Sequence, residues 1–357
     1  MLVIFGGRYI LQKPSNPSAA DVARLAGVSR SAVSRTLRPG GSASKTVRAK
    51  VNAAAEALGY HPNAMARAMI TRRSDVIGVI MAADTAIYYP EVLKELSCAI
   101  GRRGMRTMLF MMESPADASE IVRQIVSYQI DGVVALVALD HKHIEALCDR
   151  RVPLVLYNRV DVDHAVSSVT CDHEESGRML AAQFLKLGHR CFGLIDGPSH
   201  SSVGTERMAG VRAALTAAKL ETATISTASG DYTYASGRVA MIDLLSNPSK
   251  PVTAVIAASD MMALGALDYA RTTLGMHVPH DISFAGFDGI GAAGWEAYGL
   301  VTMRQPVRHL VEAATTILAE RIGKPDFPVE RRAFSTRLVG ESTVASAPHT
   351  PFSAVAA

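Results

Sequence analysis

Arg30, Ser31, Ser34 and Arg35 fall close together in a short stretch whose apolar residues recur at helical spacing. Those residue types at that spacing suit recognition of a polyanion. An arginine fork donates two parallel hydrogen bonds to guanine O6 and N7, so Arg30 or Arg35 can read a base edge from the major groove. Ser29, Ser34, Lys45 and Thr46 suit phosphate oxygens, which fix register without reading sequence.

Other groupings look chemical but fail on context. Gly289-Ile-Gly291-Ala-Ala-Gly294 satisfies GxGxxG. A dinucleotide site also needs a second strand ending in an acid about 20 positions on, and Glu312 falls inside a helix-patterned stretch. Asp172-His173-Glu174-Glu175 resembles a metal cluster, yet acids at a helix start favour the macrodipole and neighbouring helical residues point apart. The His141-Lys-His143 pair lacks further ligands. Neither a Gly-x-Ser-x-Gly elbow nor a P-loop occurs, and no paired catalytic carboxylates stand out. The expectation is a binding protein with no cofactor and no metal, and not an enzyme.

The elements that must position the basic residues are legible. Ser18-Ala-Ala-Asp21 has the form of a capping box, opening a helix through Ala26, with Gly27 placed to end it left-handed. Ser29 caps a second helix, Arg30–Leu37. Val22, Leu25, Val28, Val33 and Leu37 supply the apolar face between the two. A third helix runs from a Ser44 cap to Leu58, with Val47, Val51, Ala54 and Leu58 inward and Gly59 closing it. Helix, glycine turn, helix is the helix-turn-helix motif, whose second helix enters the major groove. Pro62 then starts a helix of about two turns, too short to stand alone. Within it Asn63 is polar, Ala66 permits close helix approach, and Met69 is able to wedge between base steps of a minor groove.

Charge supports this division. Residues 1–74 hold twelve Lys/Arg and two acids, a net +10, while the other 25 Lys/Arg and 31 acids leave residues 75–357 at −6. A basic segment on an acidic body implies a polyanion partner for that segment alone. With 357 residues, 48% hydrophobic and 20% charged, the chain is long enough for two or three folded domains. Apolar runs all fall short of the roughly 18 residues needed to span a bilayer, so no membrane partner is expected. Arg8 interrupts the apolar start, a poor secretory signal. The four scattered cysteines suit a reducing cytoplasm.

From Asp75 onward strands and helices alternate. Buried-strand runs at Val76–Met81, Met105–Met111, Val133–Val137, Leu154–Leu156, Phe192–Ile195, Ala254–Ala257 and Ile282–Ala285 are separated by helical patterns such as Glu91–Arg103, Glu174–Leu187 and Glu206–Ala218. That alternation predicts parallel sheets covered on both faces, in two units of similar length with a cleft between them. Ligands bind beyond the carboxyl ends of such strands.

The run Asp21-Val-Ala-x-x-Ala-Gly-Val-Ser29, then Val33-Ser-Arg35 and Gly59-Tyr60-x-Pro62-Asn63, closely resembles the lac-repressor (LacI/GalR) family of transcription regulators, and the likeness extends over about residues 18–344. The resemblance implies a homodimer on a pseudo-palindromic operator, with paired hinge helices in the minor groove. It also implies a two-lobed periplasmic-binding-protein-like body that binds a small polar effector, a sugar or sugar derivative. Met69 stands where the family usually has leucine.

By that likeness the effector positions are Arg207, in Gly197-Pro198 through Arg207-x-x-Gly210; Ser259, in Ala258-Ser259-Asp260; and Asp288, in Gly286-Phe287-Asp288. Ser259 departs from the usual Asn or Asp and reaches less far. Tyr88 and Tyr232 are candidates to stack on a sugar face, and Asn158 is a polar rim residue. The expected organisation is a flexible tail (1–17), an all-α helix-turn-helix domain (18–61), a hinge helix and linker (62–74), an α/β effector and dimerisation domain (75–344) and a second tail (345–357). Lobe one takes about 75–170 and 303–325, and lobe two about 172–298 and 333–344. No heptad follows residue 344, so a dimer is expected. The two rivals, a transporter's solute-binding protein and a dinucleotide enzyme, leave the basic head unexplained.

Overall fold

A computed structural model describes residues 2–5, 8–11, 17–38, 41–61, 73–83, 89–161, 163–220, 224–247, 251–324 and 327–348. The chain separates into two units, 1–74 and 75–357. Within the first, β1 (Leu2–Phe5) pairs antiparallel with β2 (Arg8–Leu11), so the segment expected to be a tail contains a hairpin. Three helices follow: α1 (Ala19–Ala26), α2 (Arg30–Leu37) and α3 (Lys45–Leu58). Ser18 and Asp21 form the reciprocal capping box, and Gly27 and Gly59 end α1 and α3 with φ of 66° and 64°, a region glycine enters at no steric cost. Val22, Ala23, Ala26, Val33, Val51, Ala54 and Ala55 form the mini-core. Leu25, expected inside, is 44% exposed, because the tight α1 contact is made by its alanines. The proposed hinge helix, with Asn63, Ala66 and Met69, lies outside the described residues.

Why the second unit has two lobes follows from its strands. β3 (Val76–Ala82), β4 (Arg106–Met112), β5 (Gly132–Ala135), β6 (Leu154–Tyr157) and β7 (Ser167–Cys171) are joined in a parallel sheet, with β13 (Arg331–Phe334) parallel at the β7 edge. Helices α4 (Pro90–Arg102) and α11 (Val307–Arg321) cover one face, burying Leu96, Ile100, Leu310 and Ile317 on Ile77 and Val79. Helices α5 (Ala118–Ser127) and α6 (His141–Asp149) cover the other, against Ile80 and Val133. Burial on both faces is why β3, β5 and β6 read as continuous apolar runs.

The second sheet runs β14 (Arg337–Val339), β12 (Val301–Arg304), β11 (Ser283–Asp288), β10 (Ala254–Ala257), β8 (Phe192–Asp196) and β9 (Ile225–Ser229), with only β14 antiparallel. Helices α7 (His173–Lys186), α8 (Ser202–Ala217), α9 (Tyr234–Leu245) and α10 (Asp260–Thr272) enclose it. α7 and α8 approach backbone to backbone, since a Cβ on Gly177 or Gly210 would strike the other helix's carbonyl.

The chain passes between lobes three times, near residues 171–173, 304–307 and 334–337. Two strand assignments change as a result. Residues 301–304 belong to the second sheet, although the first lobe was expected to resume at about 303. Residues 333–344 were expected wholly in lobe two, yet their start forms the end of β13 in the first sheet, and only β14 lies in the second. Ser335 and Thr336 carry the chain across, and Thr336 Oγ1 meets Ser176 Oγ at 2.7 Å.

Candidate functional site

The cleft of the second unit is lined from the first lobe by Tyr89, Leu136, Tyr157, Asn158 and Arg159, and from the second mainly by Ser201, Arg207, Tyr232, Ser259 and Asp288. Strand ends supply Tyr157, Asn158, Arg159 and Asp288, so the carboxyl edges of both sheets face one space. Asn158, Tyr232 and Asp288 all hold positive φ, at 59°, 71° and 113°, conformations that cost energy in non-glycine residues and cluster at binding sites.

Arg207 and Asp288 are the electrostatic centre of the cleft. Their side chains are 3% and 9% exposed, and Nη2 donates to Asp288 Oδ1 at 2.7 Å. Nη1 donates to the Ala258 carbonyl at 2.8 Å, and the guanidinium lies 5.2 Å from the Phe287 ring centre. Gln305 Nε2, within the second crossing, also donates to Asp288 Oδ1, at 2.7 Å. His173 Nδ1 accepts from Arg207 Nε at 3.4 Å, which leaves its Nε2–H to donate to Asn158 Oδ1 at 3.0 Å. A neutral imidazole therefore links Asn158 of one lobe to Arg207 of the other. Burial, with the Arg207 charge second, pushes the His173 pKa far down. Asp172 caps α7 through the Glu175 amide, as the acidic run suggested.

Tyr232 is held by Ser201 Oγ, 2.6 Å from its hydroxyl. Its ring end fits against Gly197 and Gly204, where any Cβ would collide with it. Ser259 caps α10 by accepting from the Met262 amide. Asp260 accepts the Gly289 and Ile290 amides on Oδ2 at 2.7 and 2.9 Å. These are amides that GxGxxG would need for a phosphate, so a side chain of the protein already occupies that loop. Burial, then the nearby Asp288, pushes Asp260 up to about 8.

Of the six candidate effector residues, the structure brings Asn158, Arg207, Tyr232, Ser259 and Asp288 to one cleft; Tyr88 lies outside the described residues. Tyr89, Tyr157, Arg159 and Ser201 escaped sequence reasoning, and His173 figured there only in an acidic run set aside as a helix start. Tyr157 reads as the tail of an apolar strand, and only positive-φ Asn158 beside it hints at a site. His141 needs a correction: the paired histidines were expected to lack further ligands. Across the loop, His141 meets Asp161 and His164, their candidate ligand atoms all within 4.8 Å of one another. His143, two helical positions on, points away to Ser119.

On the first unit, Arg30, Ser31, Ser34 and Arg35 are all exposed on α2, opposite the buried Val33 and Thr36. Ser29 Oγ caps α2 through the Ala32 amide at 3.2 Å. Its hydroxyl is therefore partly committed to the helix. Lys45 and Thr46 are exposed on the first turn of α3.

Residues 19–63 match the family model for bacterial regulatory proteins of the lacI family, and residues 181–344 match that of the periplasmic binding protein-like domain. The chain is 31% identical over 338 residues to the HTH-type transcriptional regulator CelR of Thermobifida fusca, covering 92% of this chain and 98% of that protein. It is 31% identical over 315 residues to the ribose operon repressor of Escherichia coli K12, covering 87% and 94%. A lac repressor dimer bound to operator and the anti-inducer ONPF superposes with a TM-score of 0.82, at 25% identity, over 93% of this chain and 100% of that one. A CelR–cellobiose complex superposes at 0.69 with 29% identity, over 92% and 100%. No helix among the described residues is long and apolar enough to cross a membrane.

Proposed function

The chain belongs to the lacI family of bacterial regulatory proteins, and from that premise we propose that it is a homodimeric, cytoplasmic transcription repressor. Its 18–61 domain reads a pseudo-palindromic operator, and its 75–344 domain senses a sugar-like effector. The observation that carries this reading is the joining of two sites in one chain. An exposed arginine and serine face on a capped second helix precedes a cleft centred on the buried Arg207–Asp288 pair.

Arg30, Ser31 and Arg35 contact base edges, and Ser29, Ser34, Lys45 and Thr46 contact phosphates. Asn63, Ala66 and Met69 form the hinge at the operator centre. Tyr88, Asn158, Arg207, Tyr232, Ser259 and Asp288 hold the effector. Relatives bind cellobiose, in the CelR complex, or regulate a ribose operon, which supports the sugar class. These relatives are regulators and not enzymes, and binding accounts for every residue assigned here. Effector in the cleft favours one arrangement of the lobes and changes operator affinity by its difference in affinity for the two states.

The test is a gel-shift series on the protein's own upstream region, at moderate salt with competitor DNA, where non-specific phosphate contacts are suppressed. A discrete complex that responds to a cleft ligand is expected. Binding that competitor DNA abolishes overturns the reading.

A further inference from the structure

Among the described residues the cleft lining holds two guanidinium groups, and only that of Arg207 has a carboxylate partner. Arg207 is neutralised by Asp288. Arg159, just past the end of β6 in the first lobe, lines the same cavity and is half-buried, with its Nε shut off from water. Its Nη2 reaches the Leu136 carbonyl at 3.3 Å, while its buried Nε has no hydrogen-bond partner. Among the described residues no carboxylate lies within ion-pair distance of it; the groups favouring its charge are the phenols of Tyr89 and Tyr232. The acid closest in sequence, Asp161, is occupied: its Oδ1 accepts from the Asp163 and His164 amides and from the His164 ring.

Tyr157 repeats the pattern two residues earlier. Its hydroxyl is buried without a partner in the same lining, and burial keeps it protonated, so it is a donor. Buried donors almost always find acceptors, and a buried cation without a counter-charge is costlier still. Two unmatched donors, one of them charged, border one cavity. Their complement is an acceptor that brings negative charge.

Resting on the reading of the cleft as the effector site, we infer that the effector is anionic: a hydroxylated acid, such as a sugar acid or sugar phosphate. Its oxyanion sits against Arg159 and Tyr157 of the first lobe, where a planar fork suits two oxygens. Its hydroxyls reach Arg207, Asp288 and Ser259 of the second. The ligand thus restores charge balance on one lobe while contacting the other, and its charge favours the bound arrangement directly.

Calorimetry on the full chain, with matched compounds, tests this: D-glucose against D-glucuronate and D-glucose 6-phosphate, D-galactose against D-galacturonate, and D-ribose against D-ribose 5-phosphate. The expected result is an anion bound at least tenfold more tightly than its neutral parent. Acid and phosphate arms distinguish carboxylate from phosphate. Arg159→Gln should remove that tenfold preference and Arg159→Lys should retain part of it. Ligand-free Arg159→Gln should melt at the wild-type temperature or above, because an unmatched charge has left a half-buried site.

A neutral sugar that binds as well as its acid, with binding lost in Arg207→Met, overturns the inference and leaves the cleft reading standing. So does an acid whose affinity ignores Arg159→Gln. A lower melting temperature for ligand-free Arg159→Gln assigns Arg159 a structural role and also overturns it. If no neutral or anionic compound binds, the cleft reading fails and this inference fails with it.

Discussion

Replacing Arg207 by methionine removes a charge from the cleft while keeping an unbranched stem over Phe287. The partner left behind is Asp288, 9% exposed, with one hydrogen bond from Gln305 at 2.7 Å remaining to the same oxygen. Removing one member of a buried pair typically costs about 3–5 kcal/mol, because the other charge stays desolvated. The Ala258 carbonyl also loses its 2.8 Å donor, worth about 1 kcal/mol. Arg207→Met alone should therefore lower unfolding free energy by about 4–6 kcal/mol. Adding Asp288→Asn removes the stranded charge and keeps an acceptor for Gln305. The double variant should then lie within about 1–2 kcal/mol of wild type, a coupling expected of directly contacting residues. Urea unfolding followed by circular dichroism, at one fixed protein concentration because a dimer's stability depends on it, measures both. A single variant costing under about 1 kcal/mol, or a double no more stable than the single, refutes the claim that this pair is desolvated before ligand arrives.

Three further outcomes follow from other residues. Arg35→Ala should cost about 1–3 kcal/mol of binding at one base pair per half-site and relax preference there; uniform weakening on all sequences in a competition assay would move Arg35 to a phosphate contact. His173 is held neutral in the fold, its pKa depressed below the unfolded value of about 6.5, so the unfolded chain takes up a proton that the folded chain refuses. The stability of wild type relative to His173→Gln should then fall by about 1.4 kcal/mol per pH unit below about 6.5; parallel unfolding curves from pH 7.5 to 5 would contradict this. Gly197→Ala places a methyl 2.7 Å from Tyr232 Cζ, which should displace the ring and weaken effector binding about tenfold, at about 1–3 kcal/mol of stability; calorimetry showing wild-type affinity would place Tyr232 beyond the ligand's reach.

The head was the more readable part of the chain, because caps and glycine ends are local. Ser18, Gly27, Ser29, Ser44 and Gly59 act within a few residues of themselves. Leu25 is the exception, since which apolar residue meets a neighbouring helix depends on the close approach that alanines allow. In the body, apolar runs located most central strands but not β7, whose sequence Ser-Ser-Val-Thr-Cys looks like an exposed edge. Ser167 and Ser168 are buried there, and Ser167 Oγ accepts the Glu330 amide of the chain entering β13. A partner 163 residues away leaves no local pattern. Arg207 and Asp288 stood in recognisable glycine-marked segments, whereas Arg159 and Tyr157 gained their importance only when a cleft closed around them. His173 sits in an acidic run that a helix start explains in full, and no local pattern marks its imidazole as the one that turns inward to Asn158.

The three interlobe passages lie next to one another. The Asp172 amide donates to the Phe334 carbonyl, and Arg304 pairs with Arg337 in the second sheet. A single tether would let two bodies swivel freely, and two would still permit them to twist. Three side by side behave like the knuckles of a door hinge, leaving essentially one rotation that opens or shuts the cleft. The Arg304–Glu91 ion pair, with its shorter contact at 3.1 Å, spans the lobes beside this axis. With motion confined to one coordinate, a molecule the size of a sugar has only to favour one end of a single arc. Substitutions at Thr336 or Gln305 would then alter how stiffly the cleft responds, even though neither side chain belongs to the cavity lining.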